Sequence, residues 1–179
     1  FKEKRPISDQ NEIYDVVDKQ DQVIGKATRY EIHKNNLLHR SIHILVFNSN
    51  NQIFLQKRSN TKDENPGFWD TSSSGHVDSG ETYDECAERE LWEELRIKGT
   101  LKLLAKIQAC NETYHEHVQV YVCKTNAPIT INQKEISEGK YFDWATLPNI
   151  IHNSTEKFTS SFKLILNKFS DKISHQYLD

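Results

Sequence analysis

Between Asp78 and Glu94 the chain carries eight acidic side chains, Asp78, Glu81, Asp84, Glu85, Glu88, Glu90, Glu93 and Glu94, against one base, Arg89, a net charge of −7 in seventeen residues. Like charges one turn apart weaken an isolated helix, so a helix that keeps Glu90 and Glu94 at that spacing calls for an opposing cation. Thr82 followed three residues later by Glu85 has the form of a capping box and starts the helix near Tyr83. With 3.6 residues per turn, Ala87, Leu91 and Leu95 make a narrow apolar stripe, while Glu90, Glu93 and Glu94 gather on the adjoining face. One helix therefore both packs and presents carboxylates. The cation that suits such a set is hard and divalent: Mg²⁺, which takes oxygen ligands, usually one or two carboxylates plus substrate phosphates, with Mn²⁺ as the alternative.

The rest of the chain sets few demands of its own. Its 179 residues suit one domain, expected over 12–179 behind a flexible N-terminus at 1–11, and Phe1 in place of Met suggests that residues precede it. The formal net charge of −3 gives no basic excess to recruit nucleic acid. No stretch reads as a signal peptide or a membrane span, so the cytoplasm is the expected location and no membrane partner is expected. Three cysteines, Cys86, Cys110 and Cys123, lack the spacing of a disulfide framework or a zinc site and read as free thiols. Oligomeric state is not encoded legibly.

Ile13–Val17 and Gln22–Ala27 read as a hairpin, and a short helix or turn follows from Thr28 to Asn35. Ser41–Phe47 is a buried strand by its β-branched and aromatic content, turned by Asn48-Ser49-Asn50-Asn51 into a partner at Gln52–Arg58. A loop over Asn60–Phe68 leads to a strand at Trp69–Ser73. Beyond the acidic helix, Leu101–Ala109 and Val118–Cys123 are strands joined through Cys110–His117. Pro128–Gly139 reads as irregular, Tyr141–Trp144 as a last strand, and Ala145–His152 as a short helix. A final helix is marked by Phe158, Phe162, Ile165, Leu166 and Phe169, with Ser154 or Thr155 as its cap. Strands with helices in the middle and at the end suit an α/β fold, a mixed sheet between helices.

The acidic stretch resembles the Nudix box: a Gly, a Glu six residues on, and after seven more the run Arg-Glu-apolar-any-Glu-Glu. Gly75, Glu81, Arg89, Glu90, Leu91, Glu93 and Glu94 fill those positions and Ile97 closes the pattern. The family usually has Gly where this chain has Arg96. Either a residue with a Cβ makes the turn or the helix runs on to Gly99. The resemblance implies a Nudix-like α/β/α sandwich with a mixed β-sheet. It also implies that Glu90 and Glu94 are the principal metal ligands, Glu93 a ligand or the general base, the Gly75 carbonyl a further ligand, and Glu81 and Arg89 their orienting partners. Read alone, Arg89 would be an intrahelical ion pair with Glu85 or Glu93. Hydrolases of this superfamily often draw a base from outside the box, for which Glu116, Glu112 and Glu138 are candidates. A diphosphate repels an attacking hydroxide, so its hydrolysis needs cations at the phosphates and a base for water.

Cationic side chains to grip such a substrate cluster at Lys57, Arg58 and Lys62, with Arg29 ahead of the first long strand. From Tyr14 to about Trp144 the chain is also similar to type 1 isopentenyl-diphosphate isomerase, most visibly across KRSNTKDENPGFWDTSSSGH. In that resemblance Arg29, Arg58 and Lys62 match the positions that hold the diphosphate. His33, His39 and His76 fall at, or within one residue of, three metal-binding histidines. Two features depart from it: Ser74 stands where the isomerase has its essential cysteine, and His115 and His117 flanking Glu116 replace its later glutamate pair. A hydroxyl is a far weaker acid and nucleophile than a thiol. The leading expectation is thus a Mg²⁺-dependent hydrolase of a diphosphate bond in a nucleotide-type or small organic diphosphate. Isopentenyl-diphosphate isomerisation is the rival, and a non-catalytic domain that binds nucleotides or diphosphates is the third reading.

Overall fold

A computed structural model describes residues 9–179. The expected loose terminus at 1–11 thus falls mostly outside the described residues. The first elements are an antiparallel hairpin, β1 (Ile13–Val17) and β2 (Val23–Thr28), and a short helix, α1 (Arg29–Asn35), capped by a Thr28/Glu31 box. Then come β3 (His39–Phe47), β4 (Gln52–Arg58), β5 (Trp69–Asp70), β6 (Ser73–His76) and the acidic helix α2 (Tyr83–Leu95). The chain closes with β7 (Lys102–Ile107), β8 (Glu116–Lys124), β9 (Ile136–Asp143), a 3₁₀ turn at Trp144–Thr146, α3 (Leu147–Asn153) and α4 (Ser160–Tyr177).

Strands β3 to β9 form one seven-stranded mixed sheet in which β3 and β8 run parallel and the other pairs antiparallel. Period-2 alternation gives β3 two buried faces. Ile42, Ile44 and Val46 pack with Cys86, Ala87, Leu91 and Leu95 of α2. Leu45 and Phe47 pack with Phe158, Phe162, Ile165 and Ile173 on the α4 side. The sheet is thus the middle layer of an α/β/α sandwich. Among the described residues no helix is long and apolar enough to cross a membrane, and all three cysteines are free.

The sheet forks. β3 and β4 pair only at Val46 with Phe54 and Phe47 with Ile53; beyond that end β3 takes β6 as its neighbour while β4 pairs with β5 and β9. Polar side chains that a continuous core would exclude, Ser41, His43, Gln56 and Asp70, are buried near this fork.

Three expectations need correction. The cap of α4 is Thr159, whose hydroxyl accepts from Phe162 N, not Ser154 or Thr155. Backbone bonds from Trp69 N to Lys157 O and from Thr159 N to Trp69 O hold that segment extended beside β5, which delays the helix. Residues Ile136–Gly139 belong to β9, whose pairing with β4 overrides a polar sequence. Asp70 and Ser73 end and begin separate strands where one was expected. The capping box of α2 forms as read, and Arg96, at φ 55°, makes the closing turn in the left-handed region despite its Cβ.

Candidate active site

A cleft of about 250 Å³ opens at the fork, walled by β3, β6, α2, the start of α1, the loop after β4 and the start of β8. The acidic helix supplies one wall. Its apolar stripe, buried against the sheet, fixes the rotation of the helix so that Glu90 and Glu94 turn inward and Glu93 lies at the rim. Glu94 is 3% exposed, and its Oε1 accepts from Ser73 Oγ at 2.7 Å and Ser74 N at 2.8 Å while Oε2 accepts from Gln56 Nε2 at 3.3 Å. Glu90 lies so close to β6 that a Cβ on Gly75 would stand 2.3 Å from its Cδ, so a larger residue there would push the carboxylate out of place. Burial and the neighbouring Glu94 push the Glu90 carboxyl well above its usual range, against the pull of Arg89. Burial also pushes Glu94 up to about 7, opposed by Ser73, Lys62 and Ser74.

Arg89 is more than an intrahelical partner. Its guanidinium grips Glu81 through two bonds, Nε to Oε2 at 2.8 Å and Nη2 to Oε1 at 2.9 Å, and also donates to Glu90 at 2.7 Å, Glu93 at 3.2 Å and the His76 carbonyl at 3.3 Å. It ties the loop before α2 to the carboxylate face. Burial raises the Glu81 pKa, but the Arg89 bonds prevail and hold it below its usual value. An all-oxygen donor set in which the Glu90 carboxylate packs against Gly75 and beside the buried Glu94 fits a hard divalent cation.

On the opposite side lie Arg29, Arg58 and Lys62, all lining the cleft. Arg29 is held by Asp63 at 3.0 and 3.3 Å and Tyr14 Oη at 3.1 Å, and its Nη1 lies 3.1 Å from His76 Nδ1. Arg58 donates to Glu64 O at 3.0 Å and to Asp70 Oδ2 at 3.4 Å, and Lys62 pairs with Glu135. Lys57, expected with them, is not among the residues lining the cleft. Strand alternation turns it to the far face of β4, where it meets Glu156 at 3.1 Å and lies over the Trp69 ring.

At the edge of the cleft His33, His39 and His76 converge, each offering a ring nitrogen within 4.8 Å of the others; His76 lines the cleft, while His33 and His39 line a neighbouring pocket. Glu116 completes the group: its Oε1 lies 2.6 Å from His76 Nε2 and 3.1 Å from His39 Nε2. Because His39 Nδ1 also donates to Leu37 O at 2.9 Å, both its nitrogens act as donors, as in an imidazolium. Burial lowers the His39 pKa, but Glu116 outweighs it and raises the value. Burial likewise lifts Glu116, yet His76 and His39 hold it well below the ordinary range. Of the two orientations open to the His115-Glu116-His117 run, Glu116 points into the cluster. His117 points away, its Nδ1 accepting from Ala109 N at 3.1 Å and its Nε2 donating to Asp18 O at 2.9 Å. Glu112 and Glu138, the other base candidates, are exposed and not among the lining residues.

Sequence reading missed Asp63, Glu135, Asp70 and His43. Asp63 and Asp70 lie within the quoted KRSNTKDENPGFWD run and carried a signal of position only. Glu135 had none, being in a segment read as irregular, and His43 was hidden as one residue of an apolar strand.

The NUDIX domain family model matches residues 37–162, which include the acidic helix, Arg58 and Lys62 but begin after Arg29. Isopentenyl-diphosphate Delta-isomerase 2 of Photorhabdus laumondii is 33% identical over 165 residues, covering 89% of this chain and 93% of that protein. An uncharacterized Nudix hydrolase of Pseudomonas aeruginosa is 33% identical over 126 residues, covering 70% and 75% respectively. Among solved structures, DR0079 of Deinococcus radiodurans superposes with a TM-score of 0.77 at 27% identity, over 87% of this chain and 98% of that one. The chain belongs to the Nudix family.

Proposed function

We propose that this protein is a Mg²⁺-dependent hydrolase, with Mn²⁺ able to substitute, that cleaves the diphosphate bond of a nucleotide-type or small organic diphosphate. The observation that carries the reading is that Glu90 and Glu93 line the same cleft as Arg29, Arg58 and Lys62, with Glu94 buried directly behind Ser73 and Ser74. Glu90, Glu94, Glu93 and the Gly75 carbonyl would hold the cation. When bound, such an ion neutralises phosphate charge and makes water a stronger nucleophile. Glu81 acts through Arg89, which keeps Glu90 and Glu93 in place. Arg29 and Arg58, each braced by a carboxylate, hold the diphosphate, and Lys62 exchanges Glu135 for a phosphate oxygen.

Glu93 serves as the base: it sits at the rim of the cleft with one ion-pair partner, Arg89, and 52% of its side chain exposed. Glu116 suits that role less well. Tied between two histidines and held at low pKa, it is a weak proton acceptor, and its part is to brace His39 and His76.

Phosphate release from a panel of such compounds, with Mg²⁺, should fall at least about a hundredfold in Glu93→Gln and Glu94→Gln. Equal rates in wild type and both variants would overturn the hydrolase reading. A second reading, isomerisation of isopentenyl diphosphate, draws on the histidine cluster and on relatives that bear the isomerase name. Ser74, which occupies the place of the essential cysteine and lines the cleft, weighs against it. Formation of dimethylallyl diphosphate by the purified protein with metal would favour it.

A further inference from the structure

Beyond the phosphates and carboxylates, the cleft has a polar corner that the hydrolase reading does not use. The lining is almost wholly polar, with Ile42 its one aliphatic side chain. Hydrocarbon placed there gains little, because the hydrophobic contribution scales with apolar area removed from water on both sides. The corner itself is built on β3. Ser41 and His43, two residues apart and on the same face, are 3% and 5% exposed and both line the cleft.

His43 Nδ1 lies 2.7 Å from Thr71 Oγ1, and Thr71 Oγ1 donates to Ser73 O at 3.3 Å. The threonine proton is thus committed, so Nδ1–H is the donor of the pair and Nε2 is an acceptor. Among the described residues Nε2 makes no hydrogen bond, and burial favours the neutral ring, lowering its pKa. Ser41 Oγ is buried without a hydrogen-bond partner. An unsatisfied buried hydroxyl is costly, so the strand sets one orphaned hydroxyl and one uncommitted ring nitrogen two residues apart at the cleft. An anion is a poor fit beside them: Asp70 lies 3.9 Å from His43 Nδ1, already engages Arg58, and Glu116 lines the same cleft.

We infer that Ser41 and His43 form a specificity subsite for a hydroxyl of the organic group attached to the diphosphate, so that the substrates are sugar- or ribose-bearing diphosphates rather than prenyl diphosphates. Nε2 accepts from the substrate hydroxyl, and Ser41 Oγ, once its rotamer turns toward the cleft, supplies the complementary contact. The inference rests on the diphosphate-binding reading of the cleft, and its test separates the two.

Two measurements are made on wild type, Ser41→Ala and His43→Phe: kcat/KM for ADP-ribose against geranyl diphosphate, and Kd for α,β-methylene-ADP against the methylene diphosphonate of geraniol. Wild type should favour the hydroxylated member at least tenfold in both, and each variant should shrink that ratio about five- to tenfold. Ser41→Ala, which removes an unpaired buried hydroxyl, should melt at or slightly above the wild-type temperature, so its loss of selectivity cannot be ascribed to unfolding. Binding with this selectivity but without turnover of either ester would end the hydrolase reading and leave the subsite standing. Turnover with equal preference for the two classes, or variants that weaken both alike, would overturn the subsite.

Discussion

Two clusters of titratable side chains meet at the cleft, which Glu90, His76 and Glu116 line, and solve the problem of burial in opposite ways. On α2, Glu90 and Glu94 are like charges taken out of water together, and burial raises both carboxyls, with Glu94 adding to the rise at Glu90. Around Glu116, complementary groups meet: His39 and His76 close on one carboxylate oxygen, Glu116 is held low and His39 is raised. The acidic helix is electrostatically incomplete within the protein, whereas the histidine group compensates itself. A buried carboxylate pair with unspent charge is where a cation acts; a closed ion pair is where rigidity comes from.

The comparison breaks most visibly if the charges are removed one at a time. Glu90→Gln should abolish most hydrolysis, by at least about a hundredfold, because the proposed cation loses a ligand. The same change should leave the metal-free protein as stable or more stable in urea, since a repelling buried charge is gone. Glu116→Gln should do the reverse in kind, destabilising the fold by roughly 2–4 kcal/mol in urea because the buried His39 loses its counter-charge and His76 its carboxylate acceptor. If Glu90→Gln destabilised the metal-free protein and Glu116→Gln did not, the contrast between the two clusters would be wrong.

Another buried acid, Asp21, sharpens the point away from the cleft. Asp21, in the hairpin connection, receives Arg40 at 2.6 Å together with Lys106 and Tyr83; burial raises its pKa, but those bonds prevail and lower it. A depressed carboxylate stabilises the fold above its unfolded pKa of about 3.9 and loses that contribution as pH falls through the folded value. Asp21→Asn should therefore cost about 1–2 kcal/mol at pH 7 and progressively less below pH 4, read from urea curves at each pH. The smallest effect belongs to the end of the acidic helix. Arg96→Gly relieves a left-handed residue with a Cβ and should stabilise by about 1 kcal/mol. Thermal melts would register it, with kcat unchanged.

What the sequence made legible was local. The capping box at Thr82 and Glu85, the stripe of Ala87, Leu91 and Leu95 and the filled Nudix spacing each depend on residues within one helix and its approach. What it hid depends on distant partners. The direction of Glu116 is decided by His39, 77 positions earlier, and Lys57 is turned from the cleft by the parity of its strand. The strand at Ile136 exists because β4 offers an edge, and the cap at Thr159 because β5 does. His43 shows the limit most clearly: an apolar strand pattern gives no warning that one of its residues sits where the sheet forks.

The most direct test of the central claim follows the fate of solvent. With wild-type protein and Mg²⁺, turnover of a diphosphate panel in H₂¹⁸O mixed with D₂O should place ¹⁸O in a phosphate-bearing product and no deuterium in the carbon chain of isopentenyl diphosphate; chelating the metal should stop the incorporation. Deuterium in that chain without ¹⁸O in any phosphate would contradict the account, and make the histidine cluster rather than the acidic helix the seat of the chemistry.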